Sequence, residues 1–184
     1  MAARPHDVTG FWTMAGPEKW YAKSEKFDAS IALKFEPVHH AAARGEYDDW
    51  SVTAEGALAL LILLDQFPRN LYRGSAHAFA TDPKARKIAR SAIQVGHDRA
   101  TEPLLRQFFY LPLEHSEDMA DQDEAVRLFT VLKEETNNGE SLRWAELHRD
   151  IIVRFGRFPH RNACLGRITA PNEQAFLDEG GFAG

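Results

Sequence analysis

The chain has 184 residues, of which 44% are hydrophobic and 27% are charged, and its formal net charge is -5. These values are typical of a soluble globular protein and predict one domain with a sizeable core. The acidic balance argues against a nucleic-acid partner, because binding phosphates needs a basic face. The single cysteine, Cys164, cannot form an intrachain disulfide, which fits a reducing cytoplasm.

Neither a secretory signal nor a membrane span is predicted. The N-terminal residues MAARPHDVTG contain no apolar segment of the kind that signal peptides carry. The longest apolar run, residues 57–64, is far shorter than the ~20 residues that a membrane helix needs. We therefore expect a cytoplasmic protein without membrane contact, in which this run is a buried helix.

Helical periodicity begins near the N-terminus and continues along the chain. A first helix carries Phe11 and Trp12 and is broken at Gly16 and Pro17. The second helix has apolar residues at helical spacing on one face. These residues are Phe27, Ile31, Phe35 and Val38. Pro37 is expected to kink or end that helix.

The third helix covers the apolar run. Ser51 or Thr53 can cap its N-terminus, and it continues through ALALLILLDQF. Phe67 precedes Pro68, and the residue before a proline is disfavoured in helical geometry. The pattern therefore predicts that the helix stops at Phe67.

Later helix starts are marked by a recurring threonine-x-proline pattern. The starts are Thr81-Asp82-Pro83, Thr101-Glu102-Pro103 and Thr169-Ala170-Pro171. Pro112 is expected to end one helix, and Ser141 to cap another that ends at Gly156. Strand patterns are missing, so we predict an all-α protein of about eight helices. The short loops predict antiparallel helix pairs.

One motif occurs twice. Residues 63–70 read LLDQFPRN and residues 155–162 read FGRFPHRN, so in each copy an apolar helical run is expected to stop at Phe-Pro and to be followed by an Arg-Asn pair. The second copy contains one inserted residue, His160, between its proline and its arginine. Both copies are followed by a glycine and a threonine-x-proline helix start. The duplication predicts a single helical domain, residues 1–184, with two related halves.

Several ordered motifs together resemble a known family. They are LLDQFPRN, AFATDP, FYLP, HSED and RFGRFPHRN followed by LGR, and they extend over nearly the whole chain. The sequence resembles the bacterial protein family called domain of unknown function 924. The resemblance implies a tetratricopeptide-like, right-handed superhelical arrangement of helix pairs, and it implies no activity or cofactor.

The arginines near the two motifs are the first candidates for a binding site. Guanidinium groups bind carboxylate or phosphate through two parallel hydrogen bonds. The predicted ligand-binding residues are Arg69, Asn70, Arg73, Arg157, Arg161 and Asn162. The structural alternative is that these side chains satisfy helix-end carbonyls and acids such as Asp65.

The second candidate is the segment Glu114-His115-Ser116-Glu117-Asp118. His115 can move protons near neutral pH, and Glu117 or Asp118 can act as a general base. Alternatively, Ser116 or Asp118 caps a helix whose first turn favours acids. That alternative does not account for His115, which is therefore a predicted catalytic residue together with His160, Glu117 and Asp118.

Other chemistry has less support. His148 shares a helical face with apolar residues and is interpreted as a core histidine. No ligand spacing typical of zinc or another metal is found, so neither a metal nor a cofactor is predicted. Cys164 is interpreted as a small buried hydrophobic residue. The N-terminal aromatics are interpreted as core residues rather than a peptide groove, because they lie at helical spacing. They are Trp12, Trp20, Tyr21, Phe27, Phe35 and Trp50.

Two functions follow from these residues. The first is a small-molecule site for an anionic ligand, lined by both Phe-Pro motifs and the His-Ser-Glu-Asp helix entrance. The second is a helical scaffold that binds a protein partner, with the polar motifs as structural clamps.

Overall fold

The computed structural model describes residues 3–182, and every regular element within that range is helical. Eight α-helices in it have eight or more residues, which confirms the all-α prediction. The α-helices are α1 (Pro5–Ala15), α2 (Pro17–Trp20), α3 (Glu25–Arg44), α4 (Ala54–Leu61), α5 (Phe67–Leu71), α6 (Asp82–Gln94), α7 (Pro103–Glu114), α8 (Met119–Thr136), α9 (Glu140–Phe155) and α10 (Pro171–Asp178). Between residues 3 and 182, no helix has both the length and the hydropathy required to cross a bilayer.

Most helix boundaries follow the capping signals of the sequence. Thr53 caps α4 by accepting a hydrogen bond from the Gly56 amide, and Gly156 ends α9 with a positive φ of 70°. α6 and α10 begin at the predicted proline-containing starts. Ser141 was expected to cap α9, but this helix starts two residues earlier than that cap implies, at Glu140, with Gly139 at the N-cap position.

Two prolines lie inside helices that they were expected to interrupt. α3 continues through Pro37 to Arg44, and α7 continues through Pro112 to Glu114. A proline removes one helical hydrogen bond, but the neighbouring turns remain buried. Leu111 and Leu113 are almost fully buried on either side of Pro112. Tertiary packing of this kind outweighs a single missing bond.

The prediction that the third helix stops at Phe67 was wrong. α4 passes into one π turn, Ile62–Gln66, in which the Phe67 amide bonds to the Ile62 carbonyl, and α5 follows directly. A π turn contains one extra residue and offsets the carbonyls, so the ring of Pro68 no longer meets the carbonyl four residues earlier. Arg69 and Asn70 therefore lie in a helical turn rather than beyond a helix end.

The π turn leaves carbonyl groups that the proline cannot satisfy, because it has no amide hydrogen. Two side chains that are distant in sequence and one from the next helical turn supply the donors. His39 Nδ1 lies 2.8 Å from the Leu63 carbonyl, Thr81 Oγ1 lies 2.6 Å from the Leu64 carbonyl, and Arg69 Nη1 donates to the Asp65 carbonyl. This part of the helix thus depends on residues distant in sequence.

The second copy of the motif has a different local structure. Gly156 ends α9 before the Phe-Pro pair, and the residues Pro159–Arg161 form a single 3-10 turn. The residue that corresponds to Gly156 in the first copy is Asp65, which favours helical geometry over positive φ. Only the second copy therefore follows a helix end.

The described residues divide into two compact units. The first unit contains the residues up to Arg73 together with His77–Pro112, and the second contains Gly74–Ala76 and the residues from Leu113 onward. In the first unit α4 packs against α1 and α6, and α3 packs against α5. In the second, α8 and α9 pack together and are joined by only three residues, which makes them antiparallel. The superhelical arrangement and the relation between the halves stay predictions.

Each unit has its own apolar core. In the first unit the Trp12 ring packs within about 6 Å of the Trp20, Phe27, Phe67 and Phe108 rings, as measured between centroids. The core interpretation is confirmed for Trp12, Trp20, Phe27 and Phe35, whereas Trp50 is only partly buried. It is wrong for Tyr21, which is 60% exposed and donates its hydroxyl hydrogen to Gln107 at 2.8 Å. In the second unit Ile151, Ile152 and Phe158 form the core, with Phe155, Phe176 and Phe182 packed against it.

Candidate functional site

In the first unit, Arg69 is bound by two aspartates. Its Nη1 and Nη2 atoms each lie 3.1 Å from a different carboxylate oxygen of Asp82, and Nη1 lies 3.4 Å from Asp65 Oδ1. Both aspartates are almost fully buried, and the guanidinium also lies over the Phe79 ring. Such a bidentate pair is strong and geometrically specific. The structural alternative for Arg69 thus has direct support from its contacts.

Asn70 and Arg73 share one acid, Asp28 on α3. Asn70 Nδ2 donates to Asp28 Oδ1 at 2.7 Å, and Arg73 donates from Nε to Oδ2 at 2.7 Å and from Nη2 to Oδ1 at 3.1 Å. Burial acts to raise the pKa of Asp28, but the hydrogen bonds from Arg73 and Asn70 outweigh it and lower the pKa. These contacts connect α5 and the following turn to α3.

In the second unit, Glu173 accepts hydrogen bonds from four donor groups. Arg157 donates from Nε at 2.6 Å and from Nη2 at 2.7 Å, Asn162 Nδ2 donates at 3.1 Å and the Ala170 amide donates at 2.7 Å. The Arg157 hydrogen bonds are the main reason that the pKa of Glu173 is lowered to about 2. Arg157 and Asn162 therefore hold the start of α10 to the end of α9.

Glu117 and Asp118 have structural contacts of their own. Arg167 Nη1 lies 3.0 Å from each oxygen of the Glu117 carboxylate, and the Phe158 amide donates to Glu117 Oε1 at 2.8 Å. Asp118 is the N-cap of α8 and accepts from the Ala120 and Asp121 amides. Their proposed role as general bases stays a prediction, while the capping alternative for Asp118 is confirmed.

His148 and Glu114 form a buried pair. His148 Nδ1 lies 3.1 Å from Glu114 Oε1 and 2.8 Å from the Trp144 carbonyl, and the two residues are only 6% and 3% exposed. Both atoms near Nδ1 are oxygens that can accept a hydrogen bond, so Nδ1 is the ring nitrogen that donates to them. A carboxylate that orients a histidine in this way is the arrangement found in acid–base catalysis.

Two predicted catalytic histidines belong to the surroundings of this pair. The His115 ring lies 6.3 Å from that of His148, between centroids. His160 lies 5.2 Å from the Phe182 ring, and Phe182 lies 4.6 Å from His148. His115 and His160 are both half-buried. The second unit therefore brings three histidines and one acid around shared aromatic contacts.

Arg161 and Gln122 shape the backbone beside these histidines. Arg161 Nη1 donates to the His115 carbonyl at 3.0 Å, and its guanidinium carbon lies 4.4 Å from the Phe158 ring centroid. Gln122 Nε2 donates at 2.6 Å to the carbonyls of Glu114 and Ser116. We call Glu114, His115, His148, His160 and Arg161 the histidine cluster. Within residues 3–182, no group of three or more acidic, histidine or cysteine side chains is arranged to hold a metal ion.

A family model described as bacterial protein of unknown function (DUF924) matches residues 8–181, which include both Arg-Asn motifs. The chain belongs to the DUF924 family. It is similar over 96% of its length to a protein of unknown function from Agrobacterium tumefaciens, with 51% identity and a TM-score of 0.91; the match covers 97% of that chain. No curated protein matches this chain significantly.

The resemblance to the DUF924 family did not indicate which residues the fold would bring together. The sequence pattern predicted His115, His160 and Arg161 as site residues, but it gave no role to Glu114 and indicated a core histidine at His148. His148 is buried as expected, yet its partner is a carboxylate. Glu114 lies directly before His115, so an acid next to a candidate histidine was the available signal. The contribution of Phe182 had no sequence signal.

Proposed function

We propose that this protein binds an anionic small molecule at the histidine cluster of its second unit and transfers a proton there. The observation that carries the proposal is the buried Glu114–His148 pair, with 3.1 Å between Oε1 and Nδ1. A carboxylate is costly to bury unless it is paired, and the partner of Glu114 is the His148 imidazole. The pairing orients the imidazole, and an oriented imidazole can act as a general base.

The residues next to the Glu114–His148 pair connect the cluster to solvent and favour a negatively charged ligand. His115 and His160 are half-buried, so the cluster reaches solvent through them. Arg161 is 6% exposed and adds a permanent positive charge beside the His115 carbonyl. A carboxylate or phosphate group on the ligand would bind near this guanidinium, and the His148 imidazole that Glu114 orients would exchange a proton with the bound molecule.

In this proposal the other arginines in and near the motifs have a structural role. Arg69 is held by Asp82, Arg73 by Asp28 and Arg157 by Glu173. These pairs act as clamps between neighbouring elements of their own unit. Of the arginines that the sequence indicated as ligand-binding residues, the proposed site thus includes Arg161 alone.

The test is a thermal-shift screen with a panel of carboxylate and phosphate metabolites, followed by titration of every compound that raises the Tm. His148→Asn keeps a donor near the Nδ1 position but removes Nε2. We expect His148→Asn and His160→Asn each to weaken binding about tenfold, the loss expected for one hydrogen bond to a charged group. His97→Asn, in the first unit, is the control and should leave the affinity unchanged. A panel without any binder, or binding that both variants retain in full, would contradict the proposal.

A second candidate is a scaffold for a protein partner, and the acid-paired arginines favour it because clamps need no ligand. The discriminating variant is Arg161→Ala, measured by melting and by the same screen. A large loss of stability in a protein that binds none of the compounds favours the scaffold. Retained folding with a lost ligand-induced Tm shift favours the histidine cluster.

A further inference from the structure

A polar depression lies in the second unit, near the end of α9 and the start of α10. It has a volume of about 360 Å³, within the range of small-molecule sites. It shares no residue with the histidine cluster. Its lining residues are Arg154, Phe155, Arg157, Ala170, Asn172 and Glu173.

Arg154 is the most informative residue of this depression. Its guanidinium carbon lies 4.7 Å from the Phe155 ring centroid and 5.4 Å from that of Phe176. Its side chain makes no ion pair or hydrogen bond to any other residue in the described part of the chain. Contact with two rings fixes the plane of a guanidinium while leaving its N–H donors available.

Arg157 supplies a second, differently held guanidinium. Its Nε and Nη2 atoms bind Glu173, and Nη2 also donates to the Ile168 carbonyl at 2.8 Å. Among the described residues its Nη1 atom has no hydrogen-bond acceptor. The ion pair with Glu173 therefore positions Arg157 without using all of its donors.

The charges of the lining leave the depression positive. Arg154 and Arg157 contribute two positive charges, and Glu173 is the one acid that lines it. The Glu173 carboxylate is saturated by donors from Arg157, Asn162 and Ala170, so it does not neutralise Arg154 as well. One positive charge remains for a ligand.

We propose that this depression binds an oxyanion, the carboxylate or phosphate group of a small molecule, between Arg154 and the Nη1 edge of Arg157. Two guanidiniums on one depression provide the parallel donors that such groups need. The Asn172 side chain lines the same depression and adds an amide donor.

The experiment titrates the full chain with inorganic phosphate and, separately, with succinate, using NMR chemical shifts at low ionic strength with chloride as the background anion. The main variant is Arg154→Gln. Arg143→Gln is the matched control, since Arg143 is also exposed, also on α9, and also lies over an aromatic ring, that of Trp144 at 5.7 Å.

We expect saturable binding of phosphate, of succinate or of both, weakened about tenfold in Arg154→Gln and unchanged in Arg143→Gln. The anion that binds more tightly identifies the preferred group. His148→Asn should leave this binding intact, which separates it from the histidine cluster. If neither anion saturates, or if Arg154→Gln and Arg143→Gln weaken binding equally, the proposal is wrong, because the effect is then one of overall charge.

Discussion

Asp82 shows how a single side chain can take a different role from the one its position suggests. An aspartate directly before a proline at a helix start is a residue type that commonly accepts the first free amides of the helix. Asp82 binds the Arg69 guanidinium instead, through both carboxylate oxygens at 3.1 Å. Removing one partner of a mostly buried ion pair costs more stability than removing one partner of an exposed pair, because a buried charge is left uncompensated.

This pair gives a prediction at the scale of one residue. Asp82→Asn keeps the shape of the side chain but removes its charge, and we expect a loss of about 2 kcal/mol in the free energy of unfolding. Asp123→Asn is the control, because the Asp123–Arg149 pair is exposed and should contribute less than about 0.5 kcal/mol. Urea unfolding of the two variants measures both values. Equal losses would show that Asp82 does not clamp Arg69.

At the scale of the element, the π turn before Pro68 is the feature that sequence patterns did not predict. Local propensity indicated a helix end, because the residue before a proline avoids helical geometry. The chain continues as a helix because His39 on α3 and Thr81 before α6 donate to the freed carbonyls. No periodicity of residues 54–71 contains that information.

The π turn gives a prediction for Thr81. Thr81→Val removes the donor to the buried Leu64 carbonyl, and we expect a loss of about 1–3 kcal/mol in the free energy of unfolding, the cost of an unsatisfied buried group. Thr130→Val is the control, because Thr130 bonds the Val126 carbonyl inside α8, where the helix already supplies a backbone donor. Chemical unfolding compares the two. If both valine variants lose the same stability, the Thr81 bond does not support the π turn.

The recurrent helix starts, by contrast, were predictable as elements. The proline-containing starts of α6, α7 and α10 and the glycine at the end of α9 are local signals that no distant residue overrides. The aromatic spacing of the first helices predicted Trp12, Phe27 and Phe35 as core, and all three are buried. Such signals act within a few residues, so one sequence contains them completely.

For the whole molecule, the groups whose pKa is shifted by folding predict how the free energy of unfolding changes with pH. Burial lowers the pKa of His39 below 6.5, and the Arg157 hydrogen bonds lower that of Glu173 from 4.5 to about 2. In both cases the unfolded chain takes up a proton at a higher pH than the folded one. The folded state is therefore favoured at higher pH and loses stability as the pH falls.

We expect the loss of stability to begin near pH 6.5 through His39 and to increase between about pH 4.5 and 2 through Glu173. Urea unfolding at a series of pH values measures this. His39→Asn keeps a donor for the Leu63 carbonyl but cannot titrate. We therefore expect this variant to lack the loss of stability that begins near pH 6.5. His6→Asn, at an exposed position, is the control. A loss near pH 6.5 that persists in His39→Asn would assign it to other groups.

The candidate site was predictable only in part. The motif Glu114 to Asp118 and the residues around His160 were visible as chemistry-bearing side chains, and the fold brings His115 and His160 into the surroundings of His148. The partnership of Glu114 with His148 was not visible, because 34 residues separate the two in the chain. Which arginines would be paired with acids was equally undetermined.

Composition and short-range pattern were enough to establish the helical class, most helix boundaries and the aromatic core of this DUF924 protein, because propensity, capping and periodicity act over a few neighbouring residues. The tertiary structure decided the rest. It continued the helix through Phe67 and Pro68, paired Arg69 with Asp82 and Arg157 with Glu173, and placed Glu114 against His148. Each of these depends on a donor or a charge from another part of the chain, and only packing determines which distant group arrives there.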